Sequence, residues 1–126
     1  MKKFILFSVL VAALVAGFSW FHFGSGLTAM IFKGKTDRLT IKMTEDGFSP
    51  SGLNIKAGET VKFVNDSKFW HWPASDLHPT HTLYPEFDPK KPIGPGEEWD
   101  FKFDNKGNWG FHDHLAPYIV GKIIVE

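Results

Sequence analysis

Five of the six histidines in this chain of 126 residues fall in its second half: His71, His78, His81, His112 and His114. Neutral imidazole is the commonest metal-binding side chain. His112 and His114 lie two apart near the end of a strand, so their side chains leave on one face and can offer two nitrogens to one ion. His78 and His81 bracket Pro79-Thr80 in a loop and form a second local pair. One such histidine would be surface decoration; five in so short a stretch point to metal binding. The chain has no cysteine. That excludes disulfides, thiolate nucleophiles, iron–sulfur clusters and thiolate sites for zinc or copper.

What remains is an imidazole site. Asp113, Glu86 and Asp88 are the carboxylates that could join it, either as ligands or as acceptors that fix imidazole tautomers from behind. Strand alternation turns Asp113 to the face opposite His112 and His114, back into the fold. Imidazole suits zinc, copper, nickel and iron, and copper(II) has the highest affinity of the divalent first-row ions. The donor chemistry favours copper or zinc and does not decide between them. No serine sits in a strained glycine elbow, so no Ser-His-Asp constellation stands out and no catalytic residue is assigned.

The elements that would position these side chains read as strands. Leu39-Thr40-Ile41-Lys42-Met43, Leu53-Asn54-Ile55-Lys56, Thr60 to Asn65 and Trp99 to Phe103 alternate apolar and polar residues. Glu45-Asp46-Gly47, Ala57-Gly58-Glu59 and Asn105-Lys106-Gly107 are turns between them, and Trp109 to Phe111 and Ile119 to Val125 supply the last strands. Residues 66 to 95 carry six of the eight prolines, which predicts a long structured loop. No helical period appears after residue 35, so the pattern predicts an all-β sandwich or barrel. Trp99, Phe101, Phe103, Trp109 and Phe111 keep strand spacing and are expected in its core.

The first 33 residues differ in kind. Met1-Lys2-Lys3 precedes an apolar run from Phe4 to Phe23, and no further charge occurs before Lys33. As a helix, such a run is long enough to cross a bilayer core. A cleaved signal peptide and a retained anchor compete. Val15-Ala16-Gly17 is a mediocre cleavage site, whereas Trp20 and His22 suit a membrane–water boundary, so the anchor is preferred. Lys2 and Lys3 would keep the N-terminus cytoplasmic and place the domain at 34–126 outside, in the periplasm or on the cell surface. The charges balance overall, 14 basic against 14 acidic, and no basic run points to nucleic acid.

The motif order resembles the cupredoxins over about residues 38 to 126. The run Phe48-Ser49-Pro50, then Ile55 to Asn65, is similar to the first half of that family. Ile93-Gly94-Pro95-Gly96-Glu97, Gly107 to Phe111 and Gly121-Lys122-Ile123-Ile124-Val125 are similar to the second. The resemblance implies a Greek-key β-sandwich or barrel preceded by the N-terminal hydrophobic helix. In that family a histidine follows the strand-ending asparagine by six residues, which is His71 here. Counting six residues from Gly107, as in the family's Gly-x-Tyr-x-Tyr strand, places Asp113 where plastocyanin-like members have their copper-binding cysteine, Ala116 at the second histidine and Ile119 near the axial methionine. A blue-copper electron carrier is thereby excluded. His112-Asp113-His114 is similar to the His-Cys-His of multicopper oxidases, and His78-Pro79-Thr80-His81 resembles part of another of their motifs.

The expected function is an exported, membrane-anchored domain that binds copper through a histidine-rich, non-blue site, for holding, delivery or redox support. His71, His112 and His114 are the first ligands expected, then His81 and His78. A metal-free interaction module is the alternative. A multi-chain copper oxidoreductase ranks last, because no electron-entry site is evident. The protein partner is left open.

Overall fold

The computed structural model describes residues 39–126. The helix expected over the first 33 residues, and the domain boundary after it, lie outside the described residues. Eight strands form within them: β1 (Thr40–Thr44), β2 (Gly47–Ser49), β3 (Gly52–Ile55), β4 (Glu59–Asn65), β5 (Pro73–Ser75), β6 (Glu98–Phe103), β7 (Gly107–Asp113) and β8 (Ala116–Val125). They make two four-stranded sheets, ordered β2-β1-β4-β6 and β3-β8-β7-β5. The all-β sandwich expected from the alternating segments is the fold observed.

Alternation decides which side chains meet between the sheets. On β1, Ile41 and Met43 are fully buried while Lys42 is exposed; on β4, Val61 and Phe63 repeat the pattern. β8 contributes Ile123 and Val125, and β6 contributes Phe103. The aromatic rings cluster around Phe63, Phe87 and Phe111, with Phe87 stacked on Trp99 at 5.8 Å. Trp99, Phe101 and Trp109 pack against this core but are only partly buried. A buried Phe of this kind typically contributes about 3–5 kcal/mol against truncation to Ala.

Two departures from the sequence expectation matter for the site. The proline-rich stretch contains a strand after all, β5, which pairs antiparallel with β7 through Ala74↔His112. That pairing carries the 76–83 loop across the outer face of β7. The last strand also starts earlier than its apolar run suggests, at Ala116, because the chain turns tightly after Asp113.

Candidate metal centre

β7 ends in three consecutive buried residues, Phe111, His112 and Asp113. A strand with one solvated face would alternate, so something covers its second face. Phe111 enters the core and Asp113 points towards the loop after β4, whereas His112 faces out under the loop that follows β5. His114 emerges on the same side as His112, and its backbone N–H donates to Trp72 O at 2.8 Å.

Ligand nitrogens of His78, His112 and His114 all lie within 4.8 Å of one another. The ring of His78 is 5.3 Å from that of His112 and 4.8 Å from that of His114. Each of the latter two is oriented from behind. His112 Nδ1 is 2.9 Å from Asp76 Oδ1, and an ionised carboxylate can only accept, so Nδ1 carries the proton and Nε2 the lone pair. His81 Nδ1 likewise donates to Asp88 Oδ2 at 2.7 Å, and its Nε2 lies 2.9 Å from His114 Nδ1. With the proton of His81 committed to Asp88, His114 Nδ1–H donates to His81 and its Nε2 is left with a lone pair. The sequence of partners, Asp88 to His81 to His114, fixes a tautomer two residues away from the carboxylate.

Electrostatics keep His114 in the ligand form. Burial lowers the pKa of His114, and the imidazoles of His81, His78 and His112 lower it further against a smaller opposing effect of Asp88. Burial alone would raise the Asp88 carboxyl. Hydrogen bonds from His81, Trp72 and Lys90 outweigh it and hold the group well below the usual carboxylate range. Trp72 Nε1–H donates to Asp88 at 2.8 Å while its ring packs 4.7 Å from His114. His81 adopts φ 54°, in the left-handed region that few non-glycine residues enter. Such a conformation costs on the order of 1–3 kcal/mol and persists where surrounding contacts over-determine it.

One atom tests whether the site suits a metal. Among the described residues, His112 Nε2 is the buried side-chain polar atom without a hydrogen-bond partner. An orphaned buried group of this kind costs about 1–3 kcal/mol, so native proteins seldom keep one without a use. The His112 ring lies 5.3 Å from that of His78 and 6.4 Å from that of His114, and a donor set of imidazoles without thiolate fits copper(II).

His71 stands elsewhere. Its Nδ1 meets Asp113 Oδ2 at 2.6 Å and its Nε2 meets Ser67 Oγ at 2.8 Å, so both ring nitrogens are engaged. Asp113 Oδ1 also accepts the backbone N–H groups of Trp72 and Leu115 at 2.9 and 3.0 Å. The position that the family count gives to a thiolate is thus filled by a hydrogen-bonded carboxylate. Serine, histidine and aspartate do align here, although no glycine elbow announces them. However, Ser67 Oγ accepts Phe69 N–H at 3.1 Å and lies 2.9 Å from Asn65 Oδ1, so the hydroxyl closes the turn after β4. Glu86 is exposed and offers Asp88 only its backbone carbonyl.

The structure therefore brings together His78, His81, His112 and His114, with Asp88 behind them, and leaves His71 with Asp113. Sequence reasoning missed Asp76 and Gly110. A Cβ added to Gly110 would overlap the Asp76 carboxylate, so glycine there is what lets Asp76 lie across β7. Asp76 itself carries no periodic signal; only its place between β5 and the His78–His81 pair hinted at a role.

A family model described as a cupredoxin-like domain matches residues 9–125. The chain is 33% identical over 96 residues to the chloroplast plastocyanin of Chlamydomonas reinhardtii, covering 69% of this chain and 66% of that one. It is 32% identical over 97 residues to the plastocyanin of Scenedesmus fuscus, covering 70% of this chain and 99% of that one. Among solved structures, a purple cupredoxin from Nitrosopumilus maritimus superposes with a TM-score of 0.61 at 22% identity, over 69% of this chain and 98% of the other. A copper-containing nitrite reductase from Thermus scotoductus is similar at a TM-score of 0.59 and 28% identity, over 70% of this chain but 22% of that one.

Proposed function

The chain belongs to the cupredoxin-like family, and from that premise we propose that it binds copper at a non-blue site made by His78, His112 and His114. His81, Asp88 and Asp76 orient two of these imidazoles. The carrying observation is that His112, whose buried Nε2 has no hydrogen-bond partner, belongs to a group of three histidines with ligand nitrogens within 4.8 Å of one another. Copper bound there would add a Lewis-acidic, redox-capable ion; the chain's own residues fix tautomers, exclude water around His112 and keep His114 neutral. Holding or delivering copper suits such a site better than blue-copper electron transfer, because Asp113 occupies the position of the thiolate. The apolar run Phe4–Phe23 after Lys2 and Lys3 supports a membrane-anchored protein whose domain lies outside the cytoplasm.

Melting with and without copper(II), read by Trp fluorescence, tests this reading. A ligand that binds only the folded state raises the midpoint, and a paramagnetic ion near Trp72 quenches its emission. Both effects should vanish in His112→Ala. A specific observation favours a second reading, a metal-free interaction module: both ring nitrogens of His71 are engaged without a metal, one by Asp113 and one by Ser67. Melting that ignores copper and zinc alike would select it.

A further inference from the structure

The three imidazoles of the group are not held alike. His112 is 2% exposed and pinned by Asp76. His114 is half-buried, set by His81 and backed by the ring of Trp72. His78 is exposed; its ring lies against the rings of His112 and His114, and among the described residues neither of its nitrogens makes a hydrogen bond. An imidazole without an outer partner has no fixed tautomer and keeps its rotamer freedom, so holding it on an ion costs more side-chain entropy than for its neighbours.

We propose that His78 is the exchangeable ligand of the site, the one displaced when an incoming nitrogen donor takes copper from the protein. This rests on the copper reading above. In the exchange the bond from copper(II) to His78 would break as a bond to the incoming imidazole forms, with no change of oxidation state and no further reactant. His112 and His114, locked from behind, retain the ion until that bond exists. The design is that of a carrier from which metal leaves by one face. The solvent-facing imidazole is the gate because the other two cannot swing away without breaking hydrogen bonds to Asp76 and His81.

The test compares full-length wild type, His78→Ala and His112→Ala, each offered one equivalent of copper(II). Release to EDTA is followed by stopped flow, and the copper spectrum by electron paramagnetic resonance with and without free imidazole. The expected result is that His78→Ala still holds one copper per chain and releases it at least about tenfold faster, since losing a ligand should cost no less than losing a partner behind one. Added imidazole should slow that release and restore the wild-type spectrum, while His112→Ala fails to load. Because His78 is exposed and unbonded, its removal should leave the metal-free midpoint unchanged, which serves as the folding control. Equal release rates and identical spectra for wild type and His78→Ala would overturn the proposal. So would complete loss of copper from His78→Ala while wild type loads. Failure of wild type itself to load copper would instead overturn the reading on which it rests.

Discussion

Asp76→Ala isolates what orientation contributes to the site. Asp76 touches no proposed copper position; it accepts the Nδ1–H of His112 at 2.9 Å. Removing it leaves His112 free to take the other tautomer, which puts the proton on the nitrogen that should bind metal. Loss of an outer-shell partner typically costs 10–100-fold in affinity, about 1.4–2.8 kcal/mol. At fixed free copper well above the dissociation constant, the same amount is lost from the metal's stabilisation of the fold. For a domain of this size, 1 kcal/mol moves the midpoint by about 4–8 °C, so the copper-induced rise in Tm should shrink by ~6–20 °C. The metal-free midpoint should fall by less, about 4–8 °C. The Asp76 side chain is 36% exposed, so water can reach the vacated space, and the cost should sit near the low end of about 1–3 kcal/mol for a lost buried partner. Calorimetric scans with and without copper(II) measure both quantities, with Glu86→Ala as the control that removes an exposed carboxylate. An undiminished copper-induced shift in Asp76→Ala would refute the reasoning.

Three further outcomes follow from the same geometry. Gly110→Ala should weaken copper binding because the new methyl group overlaps the Asp76 carboxylate; adding Asp76→Ala should cost little more, and a chelator-competition titration that finds the two changes additive would contradict this. Asp113→Ala leaves His71, Trp72 N–H and Leu115 N–H without their acceptor, and denaturant unfolding should register a loss of about 3–5 kcal/mol. In the metal-free domain, burial and neighbouring imidazoles lower the pKa of His114, so the unfolded chain takes up its proton first as pH falls. Stability should therefore decline on passing below about pH 6.5, the unperturbed histidine value, and an equal or higher midpoint at pH 5.5 than at pH 7.5 would contradict it.

The sandwich was readable because its strands keep a period of two between glycine turns, and period two has one structural meaning. β5 escaped notice because three residues beginning with proline show no period; it exists through its pairing with β7. The histidine cluster was legible as an excess of one residue type, and alternation was enough to turn Asp113 away from His112 and His114. That His112 and His114 share a face was legible from their spacing; that His78 joins them and His71 does not was not. His71 is assigned by counting from Asn65, yet the structure gives both its nitrogens to Ser67 and Asp113, a partner 42 positions away. Asp76 acquires its role from a contact 36 residues distant, and Gly110 from the space that contact needs. Such roles are set by tertiary placement, on which local patterns are silent.

Copper loading, quantified by elemental analysis and electron paramagnetic resonance on a single sample of the full-length protein, tests the central claim most directly. The account predicts one copper(II) per chain, with nitrogen couplings, no intense blue absorption, and loss of the ion in both His112→Ala and His114→Ala. A protein that retains no copper, or retains it equally in those two variants, would contradict it.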